Sequence, residues 1–298
     1  MRRSLLLCAL LCAAGCAATG PAPARTTGPT PLAYDVLAPN GARAVLLGSI
    51  HVARPRDWFP SPDLIAALEW AELVVFEVDL TGITAAETLR LVGDLGRLPP
   101  GEQLRDRISE DTWHMLERRA PALGVPIEAL EHLEPWLVAL EFTARTLNEA
   151  GYGAEHGVEW KIRKAARAKP MRGLETARDQ FLVFDALAPA LQERMLRDAL
   201  ERKEVATLAA LVDAWRRGDR RQLEQLLFED RDDPLMAPFH EALYPQRNQR
   251  MAAALAEIML HTRRAFVVVG VGHLLGKRSL QRELVDQGFR VRRRPAAR

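Results

Sequence analysis

Two apolar, β-branched stretches at opposite ends of the chain each run into the same short string, Gly-x-x-His. The first is Ala44-Val45-Leu46-Leu47-Gly48-Ser49-Ile50-His51. The second is Ala265-Phe266-Val267-Val268-Val269-Gly270-Val271-Gly272-His273. Each predicts a buried strand that stops at glycine and releases a histidine just past its carboxyl end. Glycine at that point permits close backbone approach, so the chain can turn sharply and aim the ring back over the sheet edge. In open α/β sheets ligands gather at that edge. Two histidines delivered there from both ends of the chain predict one shared site.

The chain between them reads as alternating elements. Tyr34–Ala38 and Arg43–Leu47 are strand-like runs around Pro39-Asn40-Gly41, and Asn-Gly between such runs signals a hairpin. Ser61-Pro62-Asp63 opens a helix, with serine as cap, proline at the first helical position and aspartate at the positive end. Leu64, Ala67, Leu68 and Ala71 mark its buried stripe. Leu73–Phe76 is a further buried strand, so strand, helix, strand predicts a βαβ unit with parallel pairing. From about Thr84 to Leu147 the pattern is helical, broken at Pro99-Pro100-Gly101 and Pro121. Ala154–Ala168 reads as one helix and Lys169–Leu174 as a short strand. Thr176-Ala177-Arg178-Asp179 is a capped helix start, and consecutive helices follow to about His261. Leu280–Gln287 reads as a helix and Phe289–Arg293 as a final edge strand. The predicted class is α/β with α+β character. A small central sheet is built from both chain ends, with a large helical insertion at about 84–261, in a single domain over 33–298.

Glu77 ends the Leu73–Phe76 strand, and Glu175 follows Arg172-Gly173-Leu174, so four predicted strands end on a titratable group. Two imidazoles and a carboxylate form a ligand set for a divalent metal that leaves a position open for water. Such water loses a proton near neutral pH and attacks carbonyls. The second carboxylate has the chemistry of a general base or of a group that orients a ligand histidine. The bare string is weak on its own. Gly153-Ala154-Glu155-His156 repeats it with no strand before it and carries little weight. Asp79 reads as structural, because the strand ends before it. His114, His132, His240 and His261 fall on helical patterns without acid partners at ligand spacing and read as surface or core residues. Tryptophans such as Trp58, Trp136 and Trp160 read as core.

Met1-Arg2-Arg3, the apolar run Leu5–Ala14 and the small residues before Cys16 form a secretory signal over residues 1–16, too short to span a membrane. Cys16 resembles the lipid-modified first residue of a bacterial lipoprotein, with Ala13 where such signals usually carry leucine. Cleavage after Ala22-Pro23-Ala24 is the alternative. Residues 17–32, rich in Pro, Gly, Thr and Ala, form a tether. These readings place the protein on the periplasmic side of the cell envelope, touching the membrane only through an N-terminal lipid anchor. All three cysteines, Cys8, Cys12 and Cys16, lie in the signal, so the remaining chain has no disulfide. A net charge of +2, from 41 basic and 39 acidic residues, argues against a nucleic-acid surface. The terminal Arg290, Arg292, Arg293 and Arg294 read as a solvated tail.

Several strings taken in order resemble the TraB/GumN family, which includes the Tiki proteases and the pheromone-shutdown protein. They are Leu47-Gly48-Ser49-Ile50-His51, Val75-Phe76-Glu77-Val78-Asp79, Gly157-Val158-Glu159 leading into Lys169-Pro170-Met171-Arg172-Gly173-Leu174-Glu175-Thr176, Arg247-Asn248, and Val269-Gly270-Val271-Gly272-His273-Leu274. The resemblance spans roughly Tyr34 to Arg293, and many members carry aspartate where this chain has Glu159. It implies a fold similar to haem-binding ChaN-like proteins and erythromycin esterases. The Tiki branch is described as metal-dependent peptidases. The resemblance therefore implies His51, Glu77 and His273 as the centre, on a divalent ion (Mn, Co or Zn). Glu175 and Arg247 would be supporting groups, the arginine holding a carboxylate or stabilising an oxyanion. The expectation is a metal-dependent hydrolase of the envelope that cleaves amide bonds in a peptide or small-molecule substrate. The alternatives are a non-catalytic haem- or peptide-binding envelope protein, with the histidines as axial or polar contacts, and metal-free hydrolysis with histidine as base.

Overall fold

A computed structural model describes residues 31–58, 60–78, 85–166 and 168–294. The signal, residues 17–30 of the tether and Asp79 lie outside them. Pro31 and Leu32 are buried, and the Leu32 carbonyl accepts from Gly48 N at 2.8 Å. Among the described residues six strands form one mixed sheet: β1 Ala33–Leu37, β2 Arg43–Ser49, β3 Leu73–Val78, β4 Met171–Glu175, β5 Arg264–Gly270 and β6 Arg290–Arg293. Their order is β4-β3-β5-β2-β1-β6. β1 and β2 form the expected hairpin. Gly41 takes a φ of 83° in its turn, and Asn40 Oδ1 accepts from Ala42 N at 3.0 Å.

β2, β3, β4 and β5 all run parallel, while β1 is antiparallel to both its neighbours. β2 and β3 point the same way, as a βαβ unit requires, but they do not pair with each other. β5, from the far end of the sequence, lies between them and pairs with both. Its residues Ala265 to Val269 are fully buried. A strand that is apolar on both faces is best shielded in the middle of a parallel sheet, which gives β5 the central place.

Helix exceeds strand, as the patterning predicts. Ser61 Oγ caps the Pro62–Trp70 helix through Leu64 N at 3.3 Å. After β3 come Ala85–Leu95, Leu104–Arg107, Glu110–Arg119 and Pro135–Glu149. The helix expected over Ala154–Ala168 is instead a 3₁₀ turn, Ala154–His156, followed by a helix over Val158–Ala165. Gly157 is the reason. A Cβ there would stand 2.1 Å from the His51 carbonyl oxygen, and the adjacent Val158 N donates to Ile50 O at 3.0 Å. The chain passes flat against the His51 backbone, which a continuous helix would not allow. Between β4 and β5 run Ala177–Asp185, Pro189–Leu200, Glu204–Arg216, Arg220–Leu227, Ala237–Leu243 and Pro245–His261. The first of these starts with the expected reciprocal cap between Thr176 and Asp179. Leu280–Asp286 precedes β6.

Two cores result. One surrounds the sheet and includes Trp215 and Leu255 from the helices. The other is built mostly of residues on helices and the turns between them, among them Trp136, Phe142, Phe184 and Met195, and it reaches the sheet at Val78. Val78 is the last residue of β3, so the second core abuts the carboxyl ends of the parallel strands. Trp58 and Trp136 are buried as expected, but Trp160 is 46% exposed on the Val158–Ala165 helix and is no core residue.

Trp215 joins the helices to β2. Its Nε1 donates to the Gly48 carbonyl at 2.8 Å, and its ring meets Trp58 edge-on at 5.7 Å. Trp215→Ala is expected to lower stability by about 3–5 kcal/mol, read as the shift in urea unfolding midpoint at constant slope. Trp215→Phe, which keeps most of the volume, should cost less.

Candidate functional site

Register brings the strand ends level. Ser49 pairs with Gly270, Phe76 with Val268, and Val78 with Glu175. The rim therefore collects His51 after β2, Glu77 on β3, Glu175 on β4 and His273 after β5. Arg247 reaches it from the Pro245–His261 helix and is 2% exposed. All five residues singled out from the sequence meet there.

Glu77 is 3% exposed and is surrounded by donors. Its Oε1 accepts from Gln180 Nε2 at 2.8 Å and from Arg247 Nη2, and its Oε2 accepts from Gly270 N at 2.8 Å. Burial opposes ionisation of this carboxyl. The facing His273 imidazole and the Arg247 guanidinium outweigh it and hold Glu77 well below the usual carboxylate range. Arg247 also donates through Nε to Glu175 Oε2 at 3.0 Å and through Nη2 to Glu175 Oε1. Burial works against the arginine's charge, but the two carboxylates raise its pKa further still. Glu175 thus serves the arginine and bonds neither histidine.

Each imidazole is anchored on one side. His51 Nδ1 lies 2.8 Å from Glu159 Oε1, which also accepts from Ser49 Oγ. His273 Nδ1 lies 2.6 Å from Asn248 Oδ1, while Asn248 Nδ2 donates to the Arg278 carbonyl at 2.7 Å. That carbonyl fixes which way the amide faces, so His273 Nδ1 carries a hydrogen. The Nε2 atoms are left pointing at the rim. His273 Nε2 is 3.5 Å from Glu77 Oε1. His51 Nε2 and Glu77 Oε2 lie 3.0 and 3.2 Å from where a Cβ at Gly270 would sit, so a side chain there would press on both.

The donor chemistry suits a divalent ion: two imidazole Nε2 atoms, and a Glu77 Oε2 that has one hydrogen bond and a lone pair to spare. As placed, no three His, Cys, Asp or Glu side chains among the described residues are spaced to hold one. The arginine bonded to Glu77 Oε1 is a fixed positive charge beside that position. A narrow cleft opens between the histidines, walled by Ile50, Leu227, Tyr244 and Val271, with room for about one water. Tyr244 meets His273 edge-on at 5.4 Å, and Gly272 is needed for that contact, since a Cβ there would lie 2.4 Å from the Tyr244 ring.

The anchoring residues Ser49, Glu159, Gln180 and Asn248 are absent from the set singled out on chemical grounds. Glu159 and Asn248 do stand in the strings that carried the family resemblance. The remaining histidines lie off this rim. His114 is exposed between Glu117 at 3.0 Å and Glu110 at 3.4 Å, acids three and four residues away on its own helix, which corrects the expectation that it lacked acid partners at such spacing. His240 is buried with Asp230, ten residues away, at 3.0 Å. His156 sits beside Gly157 in the turn that packs on the His51 backbone.

Burial alone would push the His51 imidazole down from its ordinary 6.5. The charge of Glu159 and its hydrogen bond, with Glu77 beyond, raise it to about 9. Glu159 is held below the usual range, its burial outweighed by the charge and hydrogen bond of His51 and the hydroxyl of Ser49. The raised imidazole favours the fold when protonated. Its contribution is complete below about pH 6.5 and is lost as pH rises through about 9. In the presence of a chelator, NMR titration should find His51 near 9, and Glu159→Gln should lower that value. The urea midpoint should fall between pH 6.5 and 9 in the wild type and stay flatter in the variant.

Residues 36–293 match the model of the TraB/PrgY/gumN family. The proteins YbaP of Shigella flexneri and of Escherichia coli K12, both described as uncharacterized, are each 27% identical to the chain over 266 residues, covering 85% of this chain and 91% of the relative. No solved structure matches the chain significantly. The family model spans every strand end and helix that builds this rim, and the chain belongs to the TraB/PrgY/gumN family.

Proposed function

We propose that this chain is a divalent-metal hydrolase of the cell envelope that cleaves amide bonds in peptides. One observation carries the reading: two imidazoles each have Nδ1 held by an acceptor, with His273 Nε2 3.5 Å from Glu77 Oε1 and with His51 Nε2 and Glu77 Oε2 both bordering the space over Gly270. Metal-ligating histidines are held in this way. Nε2 of His51, Nε2 of His273 and Oε2 of Glu77 would hold the ion. It would supply a Lewis acid that makes water a nucleophile near neutral pH.

The chain's own residues set the conditions. Glu159 and Asn248 keep the Nδ1 protons on the far side of each ring. Arg247 keeps Glu77 ionised, and Glu175 offsets the charge that arginine brings. Ile50, Leu227 and Val271 keep bulk water from the rim. The choice of a peptide rests on the resemblance to the Tiki branch. Metal-free hydrolysis with His51 as base is the rival, and activity that survives chelation would favour it.

Elemental analysis should find a divalent metal in the wild type and none in His51→Ala or His273→Ala. Peptide-library hydrolysis should stop on chelation, and Glu159→Gln should bind the metal roughly 10–100-fold more weakly. Equal, negligible metal in all three proteins would remove the ion from the proposal. A Soret shift dependent on either histidine, without hydrolysis, would replace it with haem binding.

We also infer export and a lipid anchor at Cys16, from the basic, apolar and small-residue order of residues 1–16. No helix among the described residues is long and apolar enough to cross a membrane. Labelled palmitate should enter the wild type and be lost in Cys16→Ala; labelling that persists in the variant would defeat the anchor.

A further inference from the structure

An open groove of about 850 Å3 runs between the Pro62–Trp70 helix and the β1–β6 side of the sheet, and none of the rim residues lines it. Val45 and Leu37 contribute its floor, and Trp70 stands on the helix side. Cross-strand pairing orders the rest. Leu37 lies opposite both Arg43 and Arg290, and Asp35 opposite both Val45 and Arg292. Residues directly opposite share a face, so Arg43, Arg290 and Arg292 line one side of the sheet. Arg294 also reaches the groove but is paired with Asp35 at 3.1 Å. Arg43, Arg290 and Arg292 are exposed and form no ion pair with another described residue.

Charges on an edge strand commonly serve only to block pairing with other chains. That accounts for β6. It does not account for Arg43, which is on an inner strand, or for Trp70, a large ring left 36% exposed across a concave space.

We propose that this groove docks an acidic, extended segment of a partner protein. Four arginines and two aspartates line it, so the surface is net positive. The guanidiniums of Arg43, Arg290 and Arg292 each offer a planar fork that matches a carboxylate. Val45, Ala66 and Trp70 give apolar contact between the charges. The volume lies within the roughly 300–1,000 Å3 range of binding pockets, enough for a few residues. A concave trough suits a chain better than a flat bilayer. The protein's own residues 17–30 do not complement it, since they contain Arg25 and no acid.

The test is fluorescence anisotropy of fluorescein-labelled hexaglutamate on the full chain, with a Gly-Ser hexapeptide as control and co-sedimentation with phosphatidylglycerol vesicles alongside. Arg290→Glu with Arg292→Glu should weaken hexaglutamate binding at least about tenfold, and Trp70→Ala should weaken it several-fold. Arg118→Glu with Arg221→Glu, the same charge change at exposed sites outside the groove, should leave it within about twofold. Thermal unfolding confirms that each variant folds. Equal loss in both double variants would mean diffuse charge attraction and overturn the groove. Vesicle binding without peptide binding would replace the partner segment with a lipid surface.

Discussion

β5 has hydrogen-bonded neighbours on both sides, and Ala265 to Val269 are fully buried. Without it, β2 and β3 share no partner. The sheet would fall into two pieces, β4–β3 and β2–β1–β6, each with an apolar edge open to water. The same strand sets the site. Its last residue, Gly270, donates to Glu77 and leaves space for the His51 ring, and the turn that follows delivers His273. The apolar pairing that closes the core is thus also the event that brings both histidines to one carboxylate.

The rim is a balance of buried charge. Arg247 lies between Glu77 and Glu175, and His51 against Glu159. Breaking such a buried set by removing one member leaves an uncompensated charge, at roughly 3–5 kcal/mol. Removing Arg247 would leave two carboxylates facing each other, so the arginine orders the site as well as tuning it. Because Nδ1 of each imidazole is occupied, neither ring can rotate without losing a hydrogen bond, and the Nε2 atoms are held in place.

Much of this was readable in the sequence, for identifiable reasons. Continuous apolar runs ending in glycine marked β2 and β5, Asn40-Gly41 marked the hairpin, and Ser61 and Thr176 marked helix starts. All depend on local chemistry. The central position of β5 was not readable, because strand order follows from contacts between distant segments, and periodicity is blind to those. The break at Gly157 was missed for the same reason, since its cause is the His51 carbonyl from another part of the chain. Glu159, Gln180 and Asn248 sit on helices, where a single polar residue looks like any other. Only the fold shows that each faces a histidine or Glu77. Trp160 was misjudged because residue type alone predicts burial, whereas its place on the Val158–Ala165 helix faces outward.

The pairing of Arg43 with Arg264 joins residues 264 − 43 = 221 positions apart in a chain of 298. Closing so long a loop carries an entropic penalty before any contact rewards it, and such topologies fold slowly. The helices between β3 and β5 rely on local contacts and are free to form earlier, while the sheet must wait for its middle member. A nascent chain still held in a tunnel or channel short of residue 270 therefore has no finished core and no assembled rim. Synthesis must be nearly complete before the rim can exist.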